Sequence, residues 1–172
     1  MSEALHACGI PFMLTGSVAA AFHGASRATM DIDFVIHPVP KQLDEFVARV
    51  AGMGLYVSAE AAQDALAHRA MFNVVDPESG WKADLIIRKS RRFSEAEFAR
   101  RESVDYQGVS LDVATIEDVV LSKLEWAKLG GSARQLEDVR ALLRLRGDEL
   151  DQAYVESWVD VLGVRAQWSA VQ

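Results

Sequence analysis

The sequence predicts an α+β fold, a mixed α/β core followed by a helical extension. Two observations carry this expectation. Up to Ala114, short apolar runs of β type alternate with helical patterns; beyond it the apolar spacing is helical throughout. The division is therefore put there, with a core over residues 1–114 and a helical subdomain over 115–172 packed on it. A chain of 172 residues, half of them apolar and a quarter charged, has the material for one buried core with a small appended subdomain.

The elements follow in order. Phe12 to Leu14 is the first expected strand, and Gly16-Ser17 then opens a short helix over Ser17 to His23. Ile32 to Ile36 is a second strand, after which Pro38 and Pro40 lead into an amphipathic helix from Gln42 to Val50. Met71 to Val75 and Leu85 to Ile87 are joined by Asp76-Pro77-Glu78-Ser79-Gly80, a run of turn residues, and so form a hairpin. Thr115 caps a helix reaching about Leu129. Gly130-Gly131 ends it, and Ser132 with Gln135 forms a capping-box pattern for the next. Leu150, Tyr154, Trp158 and Leu162 recur at helical spacing and pack the tail, with no chemistry assigned to them.

Composition excludes several classes. No run approaches the roughly 18 apolar residues of a membrane helix, and no basic segment precedes an apolar one at the start. The expectation is a soluble, cytoplasmic protein with no membrane partner. The lone Cys8 fits a reducing compartment and reads as a structural thiol. A net charge of −7 argues against holding nucleic acid by a broad field. A nucleic-acid partner needs a local patch, for which Arg88, Lys89, Arg91 and Arg92, with Arg100 and Arg101 downstream, are the available residues.

Three aspartates stand out. On a strand, Asp31 and Asp33 share one face while Ile32, Phe34 and Ile36 take the other. Neighbouring carboxylates repel unless a cation holds them, and Mg²⁺ accepts carboxylates together with substrate phosphates. An isolated Asp-x-Asp is also ordinary strand-entry chemistry. The third, Asp84, lies in an apolar β-type run where a charge needs a partner, which shifts the reading toward a metal site of Asp31, Asp33 and Asp84. Upstream, Leu14-Thr15-Gly16-Ser17 passes from strand to helix, so backbone N–H groups and the positive end of a helix can meet an anion. Beside the aspartates, this ordinary helix start becomes a phosphate cradle.

In the tail, Ile116, Val119, Val120, Lys123 and Ala127 lie at i, i+3, i+4, i+7 and i+11, which puts Lys123 at the edge of an apolar stripe. Lys123 and Asp138 are equally distant from Gly130-Gly131, so an antiparallel helical hairpin sets them face to face. A partly buried salt bridge and a functional pair are both open on geometry alone.

Gly16-Ser17, thirteen intervening residues with Arg27 and Thr29 among them, Asp31-Ile32-Asp33 and the later Asp84 resemble the signature of the polymerase-β-like nucleotidyltransferase superfamily. The likeness extends to its small bacterial branch, which includes toxins of toxin-antitoxin systems; Lys123 and Asp138 look like the Lys and Asp motifs that follow the core there. The resemblance covers roughly residues 11–143 and implies a nucleotidyltransferase-type mixed sheet flanked by helices. It implies Asp31 and Asp33 as ligands of Mg²⁺ or Mn²⁺ holding a nucleoside triphosphate, and Asp84 as the third carboxylate that helps activate the attacking hydroxyl. It further implies Gly16 and Ser17 on the triphosphate, Arg27 near it, and Lys123 and Asp138 in nucleotide binding and catalysis. His23 reads as a packed or capping residue. The expected activity is transfer of a nucleoside monophosphate to an acceptor hydroxyl, on tRNA, on protein or on a small molecule of aminoglycoside or lincosamide type, with a cognate antitoxin as a further partner. A non-catalytic nucleotide- or partner-binding module is the competing class.

Overall fold

Strands form where apolar residues alternate or run continuously, and the sheet's centre is its most apolar part. The computed structural model describes residues 1–25, 29–106 and 108–172. The strands are β1 (Phe12–Thr15), β2 (Asp31–Ile36), β3 (Tyr56–Val57), β4 (Met71–Val75), β5 (Lys82–Ile87), β6 (Glu102–Tyr106) and β7 (Val109–Val113). Among the described residues they make one seven-stranded sheet in the order β3-β4-β5-β2-β1-β7-β6. β2 runs parallel to β5 and β1 parallel to β7, while the other neighbours are antiparallel. The expected β4–β5 hairpin is present, with Phe72 opposite Leu85. All four residues of β1 are buried, whereas β6 is mostly exposed, as suits an edge strand.

The helices are α1 (Ser2–Ala7), α2 (Gly16–Phe22), α3 (Pro40–Gly52), α4 (Ala59–His68), α5 (Arg92–Arg100), α6 (Ile116–Gly130), α7 (Ala133–Arg146), α8 (Gln152–Leu162) and α9 (Arg165–Ser169). Phe12, Met13, Ile36, Phe46, Leu85, Leu121, Leu124 and Trp168 are among the core's fully buried side chains. Pro40 occupies the first turn of α3, where its missing N–H costs nothing, so that helix starts two residues ahead of the expected Gln42. At α7, Ser132 is the N-cap residue but its side chain makes no capping bond. The expected capping box is absent because Gln135 turns its carbonyl oxygen to Lys123 instead, at 3.2 Å.

The helical tail joins the core at β7. The Ala114 N–H donates to the Leu14 carbonyl at 2.9 Å, and the Ala114 carbonyl lies 2.8 Å from His23 Nε2. His23 thus fixes the entry to α6, in keeping with a packing role. One turn further, Asp118 is fully buried and accepts from Thr115 Oγ1 and Tyr154 O–H, both at 2.8 Å. Arg100 of α5 reaches Asp118 at 3.2 Å and Glu117 at 3.0 Å, and its guanidinium lies 3.8 Å from the centre of the Tyr154 ring. Each buried charge has a partner, and the group fastens α5, α6 and α8 together.

Candidate active-site cleft

The register of β2 and β5 decides which side chains meet. In this parallel pair Asp31 stands beside Lys82, and Asp33 beside Asp84. Because side chains alternate along a strand, these four residues share one face and form a two-by-two patch. Ile32, Phe34, Ala83 and Leu85 take the other face, which explains how two charged pairs survive in strands this apolar. Thr15 of β1 lies opposite Asp33 and leads directly into Gly16.

Gly16 presses against Asp33. Its φ is +65°, and a Cβ built there would lie 1.9 Å from Asp33 Oδ2. A side chain is excluded twice over, by backbone conformation and by the carboxylate. The close approach lets the Ser17 backbone N–H donate to Asp33. That bond holds the carboxyl down, but burial first, then the charges of Asp84 and Asp31, push its pKa above the ordinary aspartate value.

The other carboxylates have different company. Asp84 is 8% exposed and accepts from the Asn73 side-chain amide across the β4–β5 pair. Asp31 is turned outward, with over half its side chain exposed. The Lys82 ammonium lies 3.5 Å from Asp31 Oδ1 and 3.2 Å from Asp84 Oδ2. Among the described residues no three or more acidic, His or Cys side chains converge as a ready ligand set. The patch still fits a hard divalent cation: every donor is a carboxylate oxygen, and Asp33 carries a charge that burial and its neighbours disfavour.

Above the patch, α6 supplies Lys123, which is 3% exposed and donates to Asp138 of α7 at 2.6 Å. The Gly130-Gly131 turn, with Gly131 left-handed at φ +59°, folds α7 back so that the two residues meet. Gly16, Ser17, Asp33, Asp84 and Lys123 all line one cleft of about 230 Å³, with Met71 and Trp126 also on its wall. Arg27 lies outside the described residues.

A second cavity, about 110 Å³, shares Thr15, Ile86, Ser122 and Trp126 with the first. Arg88, Lys89, Arg91, Glu97 and Glu125 complete much of its lining. Arg91 forms a two-pronged pair with Glu125 at 2.6 and 2.5 Å. Glu97, 6% exposed, accepts from Ser122 at 3.1 Å, and burial followed by the charge of Asp118 raises its pKa to about 7. Of the basic residues singled out in the sequence, Arg88, Lys89 and Arg91 reach this cavity, while Arg100 and Arg101 are engaged with acidic neighbours in the fold.

Sequence reasoning did not single out Lys82, Asn73 or Trp126. For Lys82 the signal was present: it stands two residues before Asp84 and so on the same face of the strand.

No family model matches the chain, and no curated protein matches it. Solved structures do. An antigenic nucleotidyltransferase-like protein from Paracoccidioides brasiliensis aligns over 99% of this chain and 87% of its own, at 14% identity and a TM-score of 0.60. ANT(2'')-Ia in complex with adenylyl-2''-tobramycin aligns over 95% and 93%, at 15% identity and 0.60. JHP933 from Helicobacter pylori aligns over 87% and 64%, at 17% identity and 0.51. At these identities the likeness is one of fold.

Proposed function

On the nucleotidyltransferase-like fold that this chain shares, we propose that it transfers a nucleoside monophosphate from a nucleoside triphosphate to an acceptor hydroxyl, releasing pyrophosphate. The observation that supports this reading is the side-by-side pair Asp33 and Asp84 against the Gly16-Ser17 turn in a cleft also lined by Lys123. Asp33 and Asp84, with Asp31, hold Mg²⁺ or Mn²⁺ in this proposal. The bound ion supplies charge neutralisation at the phosphates and activation of the hydroxyl.

The chain's own groups do the rest. Backbone N–H groups at the start of α2 receive phosphate oxygens at the positive end of the helix. Lys123, oriented by Asp138 and Gln135, offsets the negative charge that builds as the acceptor oxygen bonds to the α-phosphorus and the bond to pyrophosphate breaks. The hydroxyl's proton passes to the Asp84 carboxylate, which the Asn73 amide keeps aimed. The second cavity opens beside this centre and receives the acceptor.

For the acceptor, the cationic lining from Arg88, Lys89 and Arg91 favours a phosphate-bearing molecule such as tRNA. A second reading, a small cationic acceptor, draws on Glu97 and Glu125 in the same lining and on the tobramycin adduct bound by the fold relative. A toxin role with a cognate antitoxin belongs to the first reading; growth arrest on expression that a neighbouring gene product relieves checks it.

The test incubates purified chain with each α-labelled nucleoside triphosphate, Mg²⁺ or Mn²⁺, and total tRNA or an aminoglycoside panel. The expected outcome is label on one acceptor class, lost in Asp33→Ala while that variant stays folded. Equal labelling by Asp33→Ala would sink the assignment. Metal-dependent nucleotide binding with no transfer to any acceptor points instead to a non-catalytic binding module.

A further inference from the structure

Lys82 occupies a place that the carboxylate patch would otherwise give to a metal ion. It stands beside Asp31 in register and two residues before Asp84, so it takes one corner of the acidic face next to both. Its ammonium contacts Asp84 Oδ2 at 3.2 Å and Asp31 Oδ1 at 3.5 Å. A divalent ion bridging those two oxygens would sit about 2.1 Å from each, inside the space the ammonium fills and against a like charge. Asp33 is left otherwise. Among the described residues it accepts from the Ser17 N–H, abuts the Gly16 turn and feels the charge of Lys123, which also pairs with Asp138 at 2.6 Å.

Charge points the same way. Three aspartates against the Lys82 ammonium leave two negative charges, which one Mg²⁺ cancels; a second would add two positive charges beside the ammonium. Asn73 binds Asp84 from its other side and further limits the oxygens open to a second ion.

Resting on the nucleotide-transfer reading above, we infer that Lys82 is a built-in cation of the cleft, bridging Asp31 and Asp84, so that the site takes one divalent ion with its nucleotide rather than two. Lys82 then sets metal stoichiometry. It also holds Asp84 on its strand face before the nucleotide arrives.

The test counts bound Mn²⁺ by electron paramagnetic resonance, titrating each protein at a saturating α,β-methylene nucleoside triphosphate against the analogue alone. Wild type is expected to bind one ion per chain, Lys82→Arg one, and Lys82→Met two. Thermal melts check that the variants are folded. Two ions in wild type, or one ion in all three proteins, overturns the inference while leaving nucleotide transfer standing. No ion and no nucleotide in wild type overturns both readings. Should Lys82→Met fail to fold, Lys82→Gln replaces it with the same expected count of two.

Discussion

The surroundings of Asp33 disfavour its charge. Burial, Asp84 and Asp31 all raise its pKa, and its carboxylate fills the space a side chain at position 16 would need. On the proposed reading, function is the reason to retain such a group, since unfavourable charges concentrate where chemistry needs them. Asp33→Asn is therefore expected to raise the thermal midpoint by a few degrees while abolishing metal-dependent nucleotide binding, read by melting curves alongside a binding titration. Gly16→Ala has the opposite character. The left-handed backbone alone costs about 1 kcal/mol, and the new Cβ must push Asp33 aside, so denaturant melts should show lost stability together with lost nucleotide binding. The aspartates were legible in the sequence because a strand's period of two puts Asp31 and Asp33 on one face, and because Asp84 sat in an apolar run. The spacing also put Lys82 on the face of Asp84, but its place beside Asp31 depends on the β2–β5 register, which the sequence does not carry.

At the scale of elements, the fold depends on how charged groups are paired inside it. The Gly130-Gly131 turn let the meeting of Lys123 and Asp138 be read from equal spacing, and the helices bring them within 2.6 Å. Lys123→Met leaves Asp138 without that cation and should cost about 3–5 kcal/mol in chemical denaturation, with Asp138→Leu added on top recovering part of it. The reading of Gln135 as a helix cap failed because a competing hydrogen bond to Lys123 won. α5 escaped the sequence reading since its buried face includes Ser94 and Glu97, polar residues that hide an apolar stripe. β6 escaped it because an exposed edge strand lacks the apolar run that marks a central one, and β7 because its Val109, Leu111 and Val113 alternate with polar residues over only five positions. Glu97 gives α5 a pH signature. Its pKa, raised from 4.5 to about 7, means the folded state holds its proton more tightly than the unfolded chain does. The resulting stability is full below pH 4.5 and is lost as pH rises through 7, a window worth at most about 3 kcal/mol. Thermal melts between pH 5 and 8 should fall with pH in wild type and fall less steeply in Glu97→Gln.

Across the whole molecule, the proposed nucleotide site sits in an acidic chain, so binding phosphate there depends on cations concentrated at the cleft. With a net charge of −7, long-range attraction would not draw nucleotide in; on the proposed reading the N–H groups of the α2 turn, Lys123 and a metal at the aspartates would act at short range. The sequence's change of character near Ala114 marks where the chain leaves the sheet and begins the helices that carry Lys123 over it. What it could not carry was the cleft itself, because a cavity shared by β1, β2, β5 and α6 exists only once those elements are packed. Binding to the folded state alone should stabilise the molecule, by about 2.7 kcal/mol at a hundred times the dissociation constant. Melting with nucleoside triphosphate should therefore shift upward when Mg²⁺ is present and return to the apo value on adding EDTA.

The most direct measurement is a calorimetric titration of nucleoside triphosphate into wild type and Asp33→Asn, each with Mg²⁺ and with EDTA. Binding by wild type only with Mg²⁺, and none by a folded Asp33→Asn under either condition, is the expected result. Equal affinity in EDTA, or unchanged binding by Asp33→Asn, would contradict a cleft organised around that carboxylate.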